Sequence, residues 1–259
     1  MSVGNFRMLS FIIPAHNEEA ELPATLEAIH AGAATLGLSY EIVVANDSST
    51  DGTAEVAKSR GARVIDIGSR HIAAARNAGW KGSTGDRLIF VDADTRVTPR
   101  AIAEAVEAME QGAMGGGGPV TFDGYVPLFA RVALPFIQWS FRLARLTGGC
   151  FFFTTRNALE TVGGWPERVF AGEEVELAKA LKAEFGRRRF VVVRSPVQTS
   201  GRKLRTYSVR ELLGPLGSFV LHGRKAMESR DRLALWYGER REDPRTASRV
   251  PTGSTEKSS

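Results

Sequence analysis

Two carboxylates one residue apart, Asp92 and Asp94, follow the apolar run Leu88-Ile-Phe-Val91. At a strand's end such a pair can turn toward one bound ion while Ala93 packs elsewhere. Hard divalent cations such as Mg2+ or Mn2+ take oxygen ligands and bridge to phosphate oxygens. An ion held there would neutralise the charge that builds on a departing diphosphate. Taken alone, the pair reads equally well as a solvated turn with a helix cap; its position after a strand favours the metal. A second polar cluster, Asn46-Asp-Ser-Ser-Thr-Asp-Gly52, follows Ile42-Val-Val44. The carboxylate of Asp47 can accept hydrogen bonds from a base N–H or from ribose hydroxyls. Thr50 or Asp51 suits the opening of the next helix.

The elements that must position these residues alternate along the first half. Strands are expected at Leu9–Ile13, Ile42–Val44, Arg63–Ile67 and Leu88–Val91. Helices are expected from Glu18 to about Leu36, through Ala54 to Ala57, from His71 to Trp80, and from Thr98 or Pro99 through Met109. This order predicts an α/β domain with a mostly parallel sheet and helices on both faces. Ligands in such sheets bind beyond the carboxyl ends of the strands. The segments 14–18, 46–51 and 92–94 therefore converge on one edge.

After Gly115 to Gly118 the pattern changes. Strands are expected near Val120 and Phe122, at Phe151–Thr154 and at Arg189–Val193, with a helix from about Glu173 to Phe185. The expected organisation is one main domain in two halves, residues 1–120 forming an α/β ligand-binding half and 121–225 the other half. Residues 226–259 are expected to form a C-terminal helix and a disordered tail.

A chain of 259 residues with 43% apolar content can build a sizeable core. Its net charge of +5 suits an anionic ligand or a membrane surface and selects neither. No apolar run is long enough to span a bilayer, and the Met8–Pro14 run is too short for a secretion signal. A cytoplasmic location is expected, with peripheral membrane contact as an open option. The single cysteine, Cys150, lies among small and apolar neighbours and reads as buried packing with a protonated thiol.

Several segments in order carry a resemblance. Pro14-Ala-His-Asn-Glu-Glu19, Asn46 to Thr53, Ala75-Arg-Asn-Ala-Gly79 and Phe90-Val-Asp-Ala-Asp-Thr95 resemble the successive motifs of family-2 inverting glycosyltransferases of the GT-A fold. Gly163-Gly-Trp165 resembles that family's glycine-glycine-aromatic turn, and Ala171 to Leu177 its acidic-pair segment. The resemblance covers residues 8 to about 185. It implies that Pro14, Ala15 and Glu18 contact the nucleoside and that Asp47 binds base or ribose. Arg76 would lie near the diphosphate, Asp92 would contact ribose or metal, and Asp94 would be the main metal ligand. Glu174 would be the catalytic base, and the donor a UDP-sugar, with a GDP-sugar as the second option. The base position is Glu rather than the commoner Asp, and Asn46 stands where many relatives carry Asp. The Gln-x-x-Arg-Trp motif of processive synthases is missing, which favours a single transfer over polymerisation.

The implied chemistry is one displacement, in which the base takes an acceptor proton and the acceptor oxygen attacks opposite the leaving diphosphate. Glu174 sits near an expected helix N-terminus, which favours its ionised form. Glu173 and Glu176 oppose that by repulsion. Sequence leaves the balance open.

Residues 126–146 mix large apolar groups with Arg131, Arg142 and Arg145. That mixture suits a membrane interface and a lipid-linked acceptor, or else a packed helix or homodimer contact. Leu212–Leu221 is similarly ambiguous. Arg187-Arg-Arg189 and Arg202 to Arg205 suit phosphate or plain solvation. His16 belongs with the nucleotide loop, His71 with a helix start, and His222 is a further candidate metal ligand.

Four other classes compete. A sugar nucleotidyltransferase would need a glycine-rich basic loop where Pro14 to Glu19 has none, and a dinucleotide site would need G-x-G-x-x-G there. A non-catalytic binding protein would have no use for the acids at 92, 94 and 174. Nucleic-acid binding is disfavoured by scattered positive charge.

Overall fold

The computed structural model describes residues 8–37, 39–126, 131, 135, 136, 139, 140, 142–202 and 206. The expected strand–helix alternation appears as β1 (Leu9–Ala15), α1 (Leu22–Ala34), β2 (Tyr40–Asp47), α2 (Thr53–Ser59), β3 (Arg63–Ile67), α3 (Ile72–Gly82) and β4 (Arg87–Val91). The chain continues through β5 (Thr95–Arg96), α4 (Pro99–Glu110), β6 (Gly115–Gly117), β7 (Val120–Phe122), β8 (Phe151–Thr155) and α5 (Arg156–Thr161). It closes with α6 (Glu173–Phe185), β9 (Phe190–Val192) and β10 (Val197–Thr199).

Seven strands form one sheet in the order β3-β2-β1-β4-β8-β6-β9. β1 lies between two parallel neighbours, with Ile13 opposite Val44 and Phe11 opposite Ile89. Strand order reverses around β1, where a doubly wound sheet opens its ligand crevice. β8 runs antiparallel to both β4 and β6. A small second sheet, β5-β10-β7, crosses the chain's two halves.

Alternation along β1 divides the core. Phe11 and Ile13 join Leu22, Leu26 and Ile29 of α1 and Ile102 of α4 on one face. Ile12 points the other way, into Ala73 and Trp80 of α3 and Leu177 and Leu181 of α6. Ile12 is fully buried, a burial that contributes about 2 kcal/mol.

Several boundaries differ from the sequence reading. α1 starts at Leu22 rather than Glu18, because Pro23 has fixed φ and no N–H to donate, so it sits best in the first helical turn. β2 extends to Asp47, which places Asn46 and Asp47 inside the strand end rather than in the loop. Residues 187–189 form a 3-10 turn, and β9 begins only at Phe190. β6 is a strand of three glycines that the sequence presents as a break. A Cβ on Gly116 would lie 2.1 Å from the Val191 carbonyl and 2.3 Å from the Phe153 ring. Only glycine lets these strands and side chains approach so closely. The expectations for Leu212–Leu221, His222 and 226–259 fall outside the described residues, as do Lys203 to Arg205 and parts of 126–146.

Candidate active site

The loops after β1, β2 and β3 and the end of β4 enclose a cavity of about 210 Å3. Pro14, Ala15, Glu18, Asp47, Asp92 and Asp94 all line it. The sheet thus brings together six of the eight residues singled out from sequence. Three residues with a Cβ adopt positive φ in these loops: Asn17 at 53°, Ser48 at 58° and Arg70 at 49°. Such conformations persist where surrounding bonds over-determine them, and they concentrate at functional sites. The first two loops are cross-linked. Asn17 N–H donates to Ser49 Oγ at 3.0 Å, Thr50 N–H donates to Asn17 Oδ1 at 2.8 Å, and Gly52 N–H donates to Glu19 Oε2 at 3.0 Å. Asp51 accepts the Thr53 N–H at 3.1 Å at the start of α2, the local role expected for it. His16 Nδ1 lies 2.7 Å from the Asp47 carbonyl oxygen, in the same loop system.

Asp47 is 5% exposed and already engaged. Its carboxylate accepts the backbone N–H of Arg70 at 2.8 Å, that of His71 at 2.8 Å, and the Ser69 hydroxyl at 3.2 Å. His71 opens α3 as expected, its Nδ1 accepting the Ala73 N–H at 3.2 Å.

Asp92 and Asp94 stand at the end of β4. Thr199 Oγ1 donates to Asp94 at 3.1 Å, which ties β10 to the acidic pair. Among the described residues no three His, Cys, Asp or Glu side chains form a metal cluster. An ion at Asp92 and Asp94 would draw its other oxygens from phosphate and water, the habit of Mg2+ at one or two carboxylates. The donor set therefore fits a divalent cation.

Arg76 is placed differently from an arginine open to a diphosphate. It is 1% exposed and makes two ion pairs, with Asp92 at 2.9 Å and Glu173 at 2.6 Å. It also donates to the Gly149 carbonyl at 3.0 Å and lies over the Trp165 ring at 4.4 Å. Burial opposes its charge, but the carboxylates of Asp92, Glu173 and Glu174 outweigh that and raise its pKa. Trp165 is held in turn by Asn77, whose Oδ1 accepts the Trp165 N–H at 2.9 Å. Gly164 has a φ of 87°, and a Cβ there would meet Asn77 Oδ1 at 2.8 Å, so the Gly163-Gly-Trp165 turn requires glycine.

Glu174 opens into a second cavity of about 770 Å3, walled by Trp139, Arg142, Leu146, Gly149 and Phe170. Asp92 lines both cavities, which meet there. The balance left open by sequence falls on one side. Burial first and the neighbouring Glu173 second push the Glu174 carboxyl up to about 8, against its own helix-start N–H and Arg76. Cys150 lines the same cavity, and burial followed by Asp92 and Asp94 raises its thiol, so it stays protonated. Trp139 of this lining, and Tyr125, Phe136 and Leu143 of the same stretch of chain, are each more than half exposed.

Sequence reasoning passed over two residues of this edge. Arg70 carries no motif signal beyond its charge next to a helix start. Glu173 was weighed only as a neighbour of Glu174, because its pairing with Arg76 spans 97 positions of chain.

A mostly parallel sheet with its acidic pair at the switch point is the GT-A arrangement of glycosyltransferases. The family model described as glycosyl transferase family 2 matches residues 10–159. The chain belongs to that family and is a glycosyltransferase. It is 33% identical over 121 residues to the undecaprenyl-phosphate 4-deoxy-4-formamido-L-arabinose transferase of Aeromonas hydrophila subsp. hydrophila, covering 43% of this chain and 36% of that one. It is 38% identical over 112 residues to the Pseudomonas paraeruginosa enzyme of the same name, covering 40% and 33%. The aligned part thus spans about a third of these curated relatives. Among solved structures, glucosyl-3-phosphoglycerate synthase from Mycobacterium tuberculosis with Mn2+ and UDP-glucose aligns at a TM-score of 0.60 and 21% identity. That alignment covers 85% of this chain and 79% of that one. Among the described residues, no helix is long and apolar enough to cross a membrane.

Proposed function

We propose that the protein transfers one sugar, with inversion, from a nucleotide diphosphate-sugar in the smaller cavity to an acceptor in the larger one. The observation that carries this reading is the junction of the two cavities at Asp92, with Asp94 on one side and Glu174 on the other. Residues 1–120 build the donor half and 121–225 the acceptor half. Pro14, Ala15 and Glu18 shape the nucleoside end, and Asp92 with Asp94 would hold a divalent cation. Such a cation, when bound, supplies Lewis-acid stabilisation of the departing diphosphate.

Arg76 acts through its neighbours. By binding Glu173 and Asp92 together it fixes both halves of the site, and of the three acids lining the acceptor cavity it leaves Glu174 outside its two ion pairs. For an acceptor hydroxyl, Glu174 is the base: ionised, it removes the proton as the oxygen attacks the anomeric carbon. A UDP-sugar is the favoured donor, supported by the UDP-glucose in a fold relative. The larger cavity favours an amphipathic acceptor, since its walls are mainly apolar with Arg142 among them. A lipid-linked phosphate fits that chemistry, and the curated relatives named above are undecaprenyl-phosphate transferases.

Calorimetric titration with UDP and GDP, each with Mn2+ and with EDTA, tests the donor side. Metal-dependent binding of one nucleotide, abolished in Asp94→Ala, is expected. Equal binding with EDTA, or in the variant, would remove the metal from the mechanism.

A further inference from the structure

Asp94 owes its position to a strand from the other half of the chain. The strand that follows it, β5, is only Thr95 and Arg96, and it pairs antiparallel with β10. In that pairing Thr95 stands opposite Thr199, 104 positions away in the chain. Their hydroxyls form a series that ends on the acid. Thr95 Oγ1 lies 3.0 Å from Thr199 Oγ1, which lies 3.1 Å from Asp94 Oδ1. Each hydroxyl has one proton to give, and an ionised carboxylate only accepts. Thr199 therefore donates to Asp94 and accepts from Thr95; the direct contact of Thr95 with Asp94, at 3.5 Å, is the longer alternative. Hydrogen bonds in series polarise one another, which strengthens the last of them. Both threonines are β-branched and stiff at χ1, so the paired backbones aim the hydroxyls. Thr95 is fully buried, out of reach of competing water.

Separate bonds fix Thr199 from its other side. β10 runs parallel to β7, with Thr199 opposite Phe122. Just past β7, Asp123 N–H donates to the Thr199 carbonyl at 3.0 Å, and Asp123 Oδ1 accepts the Gly201 N–H at 2.7 Å. Thr199 lines the larger cavity, while Asp94, which it holds, lines the smaller. Strand pairing alone asks for a β-branched side chain, which valine supplies equally well. The hydroxyl at 199 is spent on Asp94.

We propose that Thr199, backed by Thr95, is the positioning residue that holds the Asp94 carboxylate in the orientation in which it takes a divalent cation. The proposal rests on the donor reading above, which gives Asp94 the cation. A carboxylate left to turn must be ordered when the ion binds, whereas one already held does not incur that loss. Removing a group that hydrogen-bonds a metal's ligand commonly weakens the metal by about tenfold or more. The cation requirement should therefore move further than the nucleotide affinity at saturating cation.

The test is calorimetric titration of the full chain with UDP over a series of Mn2+ concentrations, which yields the Mn2+ midpoint for nucleotide binding. Wild type is compared with Thr199→Val, Thr199→Ser, Thr95→Val and Thr121→Val, and each melting temperature is recorded. Thr199→Val keeps the shape and loses the hydroxyl. It is expected to raise the Mn2+ midpoint about tenfold and to bind UDP as wild type does once Mn2+ is saturating. Thr199→Ser should keep a midpoint close to wild type, and Thr95→Val, which removes only the first hydroxyl, should fall between the two. Thr121→Val is the control for stability. Its hydroxyl donates to the Val197 carbonyl at 3.1 Å from β7, the edge of the same small sheet opposite β5. Its loss should lower the melting temperature and leave the midpoint unchanged. A Thr199→Val midpoint equal to that of wild type would overturn the proposal and leave the donor reading standing, as would an equal rise in Thr121→Val. Should Thr199→Val not fold, the Thr95→Val midpoint decides on the same terms. If wild-type UDP binding is indifferent to Mn2+, the cation falls from the donor reading and the proposal falls with it.

Discussion

At the scale of single residues, the acid pair on α6 divides its labour by environment. Glu173 spends its charge on Arg76 at 2.6 Å. Glu174, with its carboxyl pushed up to about 8 by burial and by Glu173, is mostly protonated at neutral pH. A base works only when ionised, so with a hydroxyl acceptor kcat should rise with pH and level off above about 8. A phosphate acceptor, with a second pKa near 6, is ionised before Glu174 and would give a flatter profile. Measuring kcat from pH 6 to 9 separates the two acceptors. Glu174→Gln should lower kcat by about 100-fold or more on the hydroxyl route. The same shift has a stability sign. The folded pKa lies above the unfolded 4.5, so the native state holds the extra proton between those values and loses stability as pH rises through 8. Melting temperatures at pH 6 and 9 should fall more for wild type than for Glu174→Gln. Arg76→Ala would strand Asp92 and Glu173, and should cost about 3 to 5 kcal/mol in a urea titration. A loss below 1 kcal/mol would remove Arg76 from its place as the link between the two halves.

At the scale of elements, the site depends on strands that end in the right place and on glycines that let them pack. Gly116→Ala should destabilise the sheet by about 3 kcal/mol, since its Cβ would collide with the Val191 carbonyl and the Phe153 ring. A denaturant midpoint near wild type would show that β6 and β9 can separate without cost. That collision also shows where sequence stops being informative. β1 to β4 and the helices between them were legible, because Leu9–Ile13 and Leu88–Val91 are apolar runs bounded by turn residues. The carboxyl-end rule then places Asp47, Asp92 and Asp94 on one edge of the sheet. β6 was illegible, because three glycines have no pattern and their reason lies on β8 and β9. The use of Asp47 was illegible for a similar cause: its partners at 69–71 lie on the next strand's loop, more than twenty residues away. The burial of Arg76 was illegible too, because it depends on Glu173, which no local window contains.

At the scale of the whole molecule, the two cavities face different worlds. The smaller is walled by charged and polar loops, whereas the larger opens beside Tyr125, Phe136, Trp139 and Leu143, exposed by 71%, 68%, 59% and 64%. Arg131 and Arg142 are exposed among them. Aromatic and aliphatic side chains interleaved with arginine match the boundary between lipid headgroups and acyl chains. Such a face at the mouth of an acceptor cavity would let a lipid-linked acceptor enter from the membrane plane while the nucleotide sugar arrives from water. Each basic group near an anionic surface contributes about 1 kcal/mol, and salt screens that contribution. The full chain should therefore sediment with vesicles containing anionic phospholipid and much less with neutral ones. Binding should weaken as salt is raised from 50 to about 500 mM. Trp139→Ala together with Phe136→Ala should reduce the salt-resistant part, which depends on apolar insertion, and leave UDP binding in the other cavity unchanged. Vesicle binding that neither salt nor the double variant alters would move the membrane contact to another face. No binding at all would point to a water-soluble acceptor that takes the same route to Glu174.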